Sequence, residues 1–297
     1  MTRKLSRKQI LLIALAVWLG GAVLIHLATG GSQGRNDEFQ PTGEFRLDDW
    51  LPLGFNRAVV YLLLAGLLTG LTMNWIANRM QAKPNKVQTA VETIFIFMRD
   101  EIAGGNLDRD MARRWFPFVA ALFLFIWFSN LIGYIPLPVN DAHPIEIGNL
   151  ELPSFMIYAA TANISVPLAL TLVVWITYHV VGIRRQGFSQ YLASWVPAGV
   201  EGPARFPIFL IEVISHFVRI ISLSVRLFAN ILAGHLLILF MGGGLGVILG
   251  LAALGWITLP MAVAFFLFEI VLIATLQAFI FATLTAIYLG GAVAAEH

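Results

Sequence analysis

Apolar runs of membrane length, separated by short polar stretches, set the plan of this chain. They extend from Ile10 to about Thr29, Ala58 to Ala77, Trp115 to Ile135, about Tyr158 to Ile183, Phe206 to Phe240 and Val247 to Tyr288. A run of about twenty residues at about 1.5 Å each crosses a hydrocarbon core of about 30 Å, so each run predicts a helix in a bilayer. The last two exceed one crossing. Phe206–Phe240 alone makes about 50 Å of helix, so it is either steeply inclined or broken. Val87 to Ile102 reads differently: Val91, Ile94, Phe95 and Met98 recur at helical spacing, while Glu92, Arg99, Asp100 and Glu101 fall between them. That pattern suits a helix on the membrane surface or against a partner, and equally a soluble connector.

Charge placement orients the spans. Lys and Arg cluster in residues 79–114 and 184–205, which places both on the cytoplasmic side. Residues 30–56, with Asp37, Glu38, Glu44, Asp48 and Asp49, and residues 139–154, with Asp141, Glu146 and Glu151, are acidic and face outward. The first run follows Arg3, Lys4, Arg7 and Lys8 and reads as a signal peptide or as a retained anchor. Its length and the poor cleavage site Leu27-Ala28-Thr29 favour retention, giving six spans with both termini inside; cleavage would leave five. The expected fold is an all-α polytopic membrane protein of five or six spans plus one amphipathic surface helix. Its two long, steeply tilted C-terminal helices form a hairpin about Gly242–Gly244, with Gly242, Gly246 and Gly250 at close-packing spacing.

Composition agrees: 58% of the residues are hydrophobic and 12% charged, where a soluble domain carries about a quarter charged. The absence of cysteine excludes disulfides and thiolate chemistry, and the six histidines lack metal-ligand spacing. No nucleophile–base set, nucleotide motif or nucleic-acid motif is present, so no catalytic residue and no cofactor is assigned.

The chemistry lies in polar groups inside apolar runs, where a charge costs several kcal/mol and usually has a job. Glu212, Ser215, His216 and Arg219 fall at i, i+3, i+4 and i+7, one stripe that Arg226 and Asn230 continue. Glu212 and Arg219 can form a plain ion pair. Arg226 has no acid within four residues, so its partner comes from another helix or another chain. Glu269 is the one acid in roughly forty apolar residues, which suits proton handling. His235 is its most plausible partner, although a turn at Gly242–Gly244 equalises their depths only if the second helix is strongly tilted or partly re-entrant.

The segments SLSVRLFANILAGH and IATLQAFIFATLTAIYL, with PFVAALFLFIWFSNLIGYIP and TANISVPLALTLVVW, resemble the a subunit of the membrane (Fo) sector of bacterial-type rotary ATP synthases. The resemblance covers about residues 50–297, a single membrane domain; residues 1–49 are an N-terminal extension. It implies a non-catalytic stator in a bacterial plasma membrane, passing protons through two half-channels to a rotating c-ring and coupling the gradient to ATP synthesis. Its implied partners are the c-ring subunits, the b subunits of the peripheral stalk and the rest of the complex. By the same resemblance, Arg226 is the arginine that faces the ring carboxylates, with Asn230 and Gln277 beside it. Glu212 and Ser215 fall to the cytoplasmic half-channel, and His235 and Glu269 to the outer one; His216, on the same stripe, is a further candidate for proton translocation. Two departures stand out. Glu269 precedes Gln277 by eight residues where seven is usual, which predicts a rotation of about 100°, and Asn163 stands where many members have Asp. A self-contained permease and a membrane scaffold are the rival classes, and neither requires a ring of small hairpin subunits.

Overall fold

The computed structural model describes residues 6–30, 56–78, 80–81, 83–147, 150–197, 199–200 and 202–293, with side chains left out for 138–147, 150–156 and 252. The acidic segment at 31–55 therefore lies outside the described residues, as do Arg3 and Lys4. Among the described residues six helical segments are long and apolar enough to cross a membrane, as the apolar runs predict. The chain divides into two compact units, Met1–Arg46 with Ala233–Val271, and Leu47–Leu232 with Leu272–His297.

In the larger unit, α2 (Arg57–Asn78) and α10 (Ala274–Val293) both pack against α4 (Arg109–Ile132). The reason is visible in side-chain size. Ala274, Ala278, Ala282 and Ala286 of α10 recur every four residues and are buried, so this face approaches its neighbours at near-backbone distance. Helix α5 (Ser165–Gln186) packs on α10 as well, and the short α6 (Phe188–Ala193) folds back onto it. The amphipathic segment forms α3 (Lys86–Phe97), continued by a π-helical stretch, Met98–Gly104. Its partner is the chain itself: Phe95 meets Phe116 edge-on at 5.1 Å, and Met98, Ile102 and Ala103 are buried against α4 and α10. The acidic loop at 139–154 gains a feature that its composition does not predict, a two-stranded antiparallel hairpin of β1 (Leu137–Ile147) and β2 (Leu150–Met156).

The polar stretch at the centre of the chain is one helix, α7 (Arg205–Leu239), and it is unbroken. Its 35 residues span about 52 Å, which fits a core of about 30 Å only at an inclination of roughly 55°. Within the larger unit Leu223, Leu227 and Ile231 bury one face of it, while Phe217, Ile221 and Val225 are exposed on the other.

In the smaller unit α1 (Arg7–Ala28) packs on α9 (Ala252–Phe268). Trp18 and Trp256 stack at 4.5 Å, and Trp256 Nε1 donates to the Trp18 carbonyl at 3.1 Å. The chain reverses later than the glycine cluster predicts. A π turn at Phe240–Gly244, containing Gly243 at φ 139°, leads into a further helical turn, α8 (Leu245–Leu249). Reversal is completed at Gly250, whose φ of 69° is left-handed and disfavours any side chain. Of the expected glycine stripe, Gly242 is exposed and a side chain on it would meet nothing, whereas Gly246 lies close against Gly255 and Gly250 is buried.

Candidate functional site

Two polar sites are built into this frame, one in each unit. In the larger unit a cavity of about 360 Å³ reaches Glu212, His216 and Arg219 on α7. Arg219 Nη2 donates to Glu212 Oε1 at 3.0 Å, the intrahelical pair that a seven-residue spacing allows, and the Arg219 guanidinium also lies 5.3 Å from the Tyr288 ring centre. Each member of the pair is about one-third exposed, so water reaches both. His216 is buried beside them. Its Nε2 is 3.7 Å from Glu212 Oε1, and its Nδ1 shares a 3.0 Å hydrogen bond with the Tyr178 hydroxyl.

Sequence reasoning missed the residues packed around His216 at this cavity. His179 packs against His216 with ring centres 4.8 Å apart and hydrogen-bonds through Nδ1 to the Tyr191 hydroxyl at 2.6 Å. Trp195 covers His216 at 4.4 Å. Burial pushes the Tyr191 phenol up, so it is neutral and able to donate. One signal was available: Tyr178 and His179 are adjacent polar groups near the end of a span, where both meet His216 of α7 directly and the return of α6 adds Tyr191. Ser215, the remaining residue of the predicted stripe, is half-buried and does not line the cavity.

The second site is in the smaller unit. Glu269 and His235 are both buried, at 5% and 4% exposure. The Glu269 carboxyl lies directly over Gly234, the residue before His235, and a side chain on Gly234 would occupy the same space. The expected depth mismatch therefore disappears, because reversal at Gly250 puts His235 fifteen residues before the turn and Glu269 eighteen after Leu251. Glu269–Ile273 is a π-helical turn, which adds one residue to the local hydrogen-bond ladder.

Arg226 and Asn230 are exposed on α7, and Arg226 forms no ion pair among the described residues. Its exposed neighbours Ile221 and Val225 are apolar. Gln277 is buried on α10.

Residues 59–290 match the family model described as ATP synthase A chain. The chain is 35% identical over 247 residues to an ATP synthase subunit a of Rubrobacter xylanophilus, covering 82% of this chain and 86% of that one. It is 35% identical over 258 residues to the subunit a of Maricaulis maris, covering 83% and 92%. With the subunit a of Bradyrhizobium diazoefficiens it shares 31% over 272 residues, covering 88% and 100%.

Proposed function

Because this chain belongs to the ATP synthase subunit a family, we propose that it is the proton-conducting stator subunit of the Fo sector in a bacterial plasma membrane. It spans residues 50–297 as one membrane domain, is itself non-catalytic, and works against a c-ring, held by the b subunits and the rest of the complex. The observation that carries this reading is Arg226. A guanidinium on an apolar, exposed face of a membrane-length helix costs several kcal/mol unless a partner meets it. A carboxylate on a passing ring helix supplies that partner. There the fixed cation favours the ionised acid and repels hydrated protons that would otherwise leak from one side to the other. Asn230, four residues on and exposed, extends the same contact; Gln277 supports it from α10.

The cavity at Glu212, His216 and Arg219 is the cytoplasmic half-channel, with Tyr178, His179 and Tyr191 as groups that pass or hold a proton beside it. Ser215, half-buried and outside the cavity lining, contributes polarity only. The buried Glu269 beside Gly234 and His235 is the outer half-channel. Each proton crossing releases about 2.3 kcal/mol per 100 mV, which the rotating ring delivers to ATP synthesis. Replacing Arg226 with Ala tests the reading. ATP-driven proton pumping by membrane vesicles is expected to vanish while the complex still co-purifies with its ring; normal pumping by that variant would overturn the assignment.

A further inference from the structure

Away from both polar sites, a groove of about 650 Å³ opens between the first turns of α4 and the last turns of α5. Charge placement puts both helix ends at the cytoplasmic face. Arg114 stands on one wall, and Arg184 and Arg185 on the other; all three are exposed. The carboxylates nearest in the chain, Asp108 and Asp110, make no ion pair with any of them among the described residues. Three cations are thus gathered at one groove, and none of them forms an ion pair among the described residues.

Below the cations the groove becomes apolar in an ordered way. Trp115, one residue past Arg114, lines it at the depth where amphipathic rings settle between headgroup and hydrocarbon. On α5, Leu168, Leu172, Ile176 and Val180 recur every four residues, are exposed, and end at Arg184 on the same helix face. A lane of exposed aliphatic side chains leading up to clustered guanidiniums matches one kind of molecule. We infer that the groove between α4 and α5 binds an anionic phospholipid, its phosphate held by Arg114, Arg184 and Arg185 and an acyl chain laid along the α5 stripe. Guanidinium forks suit phosphate oxygens, and clustered cations at a cytoplasmic surface select a negative headgroup over a zwitterionic one. The inference depends on membrane orientation and not on the proton path, so it stands or falls separately from the proposed function.

The test uses the assembled complex in phosphatidylcholine vesicles containing a small share of phosphatidylglycerol that carries a photoreactive acyl chain. After illumination and proteolysis, cross-links are expected on the segment from Leu168 to Arg185, well above those left by an equally photoreactive phosphatidylcholine. R184Q is expected to lower the label about fivefold, the equivalent of about 1 kcal/mol for one cation at an anionic surface, while R184K retains it. Because loss of a cytoplasmic cation can disturb insertion, the comparison of the two lipids on the unaltered protein is the primary readout. Equal labelling by both lipids, or an undiminished label in R184Q, would overturn the inference. So would loss of the label on adding inorganic phosphate, which would assign a free-anion site, or a groove without label because another subunit covers it.

Discussion

Replacing Gly234 with Ala isolates the outer site, because one methyl group enters the space that the Glu269 carboxyl fills. To restore ordinary contact the carboxyl must retreat by about 2 Å. The change has two opposed effects on stability. Ala is better than Gly inside a helix by about 1 kcal/mol, while overpacking a buried site costs about 1–3 kcal/mol. The net loss is therefore small, about 0–2 kcal/mol, and the complex is expected to assemble. Proton flux behaves differently. A hydrogen bond reaches about 2.6–3.2 Å, so a 2 Å retreat severs whatever bond Glu269 makes in the path. Losing a charged hydrogen bond of about 1.5–3 kcal/mol in a rate-determining step slows it about 10- to 150-fold. The assay is dye-quenching measurement of ATP-driven proton uptake by inverted vesicles, normalised to assembled complex. Shortening the side chain by one methylene in the double variant G234A/E269D makes room again and is expected to recover part of the flux. Flux in G234A within twofold of the unaltered protein, or a double variant no better than G234A, would refute the placement of Glu269 in the outer path.

Two further outcomes concern the cavity at Glu212. Glu212→Gln removes the carboxylate from a pair whose members are each about one-third exposed, so stability is expected to change by no more than about 1 kcal/mol. Proton flux is expected to fall nonetheless; thermal unfolding and dye quenching on the same preparation separate the two effects. Tyr191→Phe deletes the hydroxyl that meets His179 Nδ1 at 2.6 Å and leaves a buried nitrogen unpaired. A loss of about 1–3 kcal/mol is expected, read as a lowered melting temperature of the purified complex; an unchanged melting temperature would remove Tyr191 from the cavity wall's support.

The spans were legible in the sequence because their signal is local: length, apolarity and flanking charge each act within one segment. The pair Glu212–Arg219 was legible for the same reason, since both residues belong to one helix. Three other features were not. The His179–Tyr191 bond depends on α6 folding back after Gly187, whose φ of 83° starts that return. The reversal at Gly250 was hidden because three glycines at Gly242–Gly244 form the stronger turn signal, yet the chain only kinks there, at Gly243, and resumes as a helix to Leu249 before it reverses. The π turn at Glu269 has no marker in EIVLI, a run that suits an α-helix equally well. Its cause is tertiary, since it seats the carboxyl over Gly234.

These misses share a physical logic that bears on the mechanism. A polar side chain in an apolar helix pays no local penalty that the neighbouring sequence reveals; its cost is set by what faces it. Glu269 is buried and faces the only part of α7 lacking a side chain, so its position is fixed from within the chain. Arg226 is exposed, and nothing among the described residues fixes it by an ion pair. A carboxyl held by packing can take and release protons at a constant place, whereas a guanidinium on a free face can follow a carboxylate that arrives and leaves. The division explains why one polar group of the long C-terminal helices is enclosed and the other open. It also separates their sensitivities: methyl-sized changes should impair Glu269, and only loss of charge should impair Arg226.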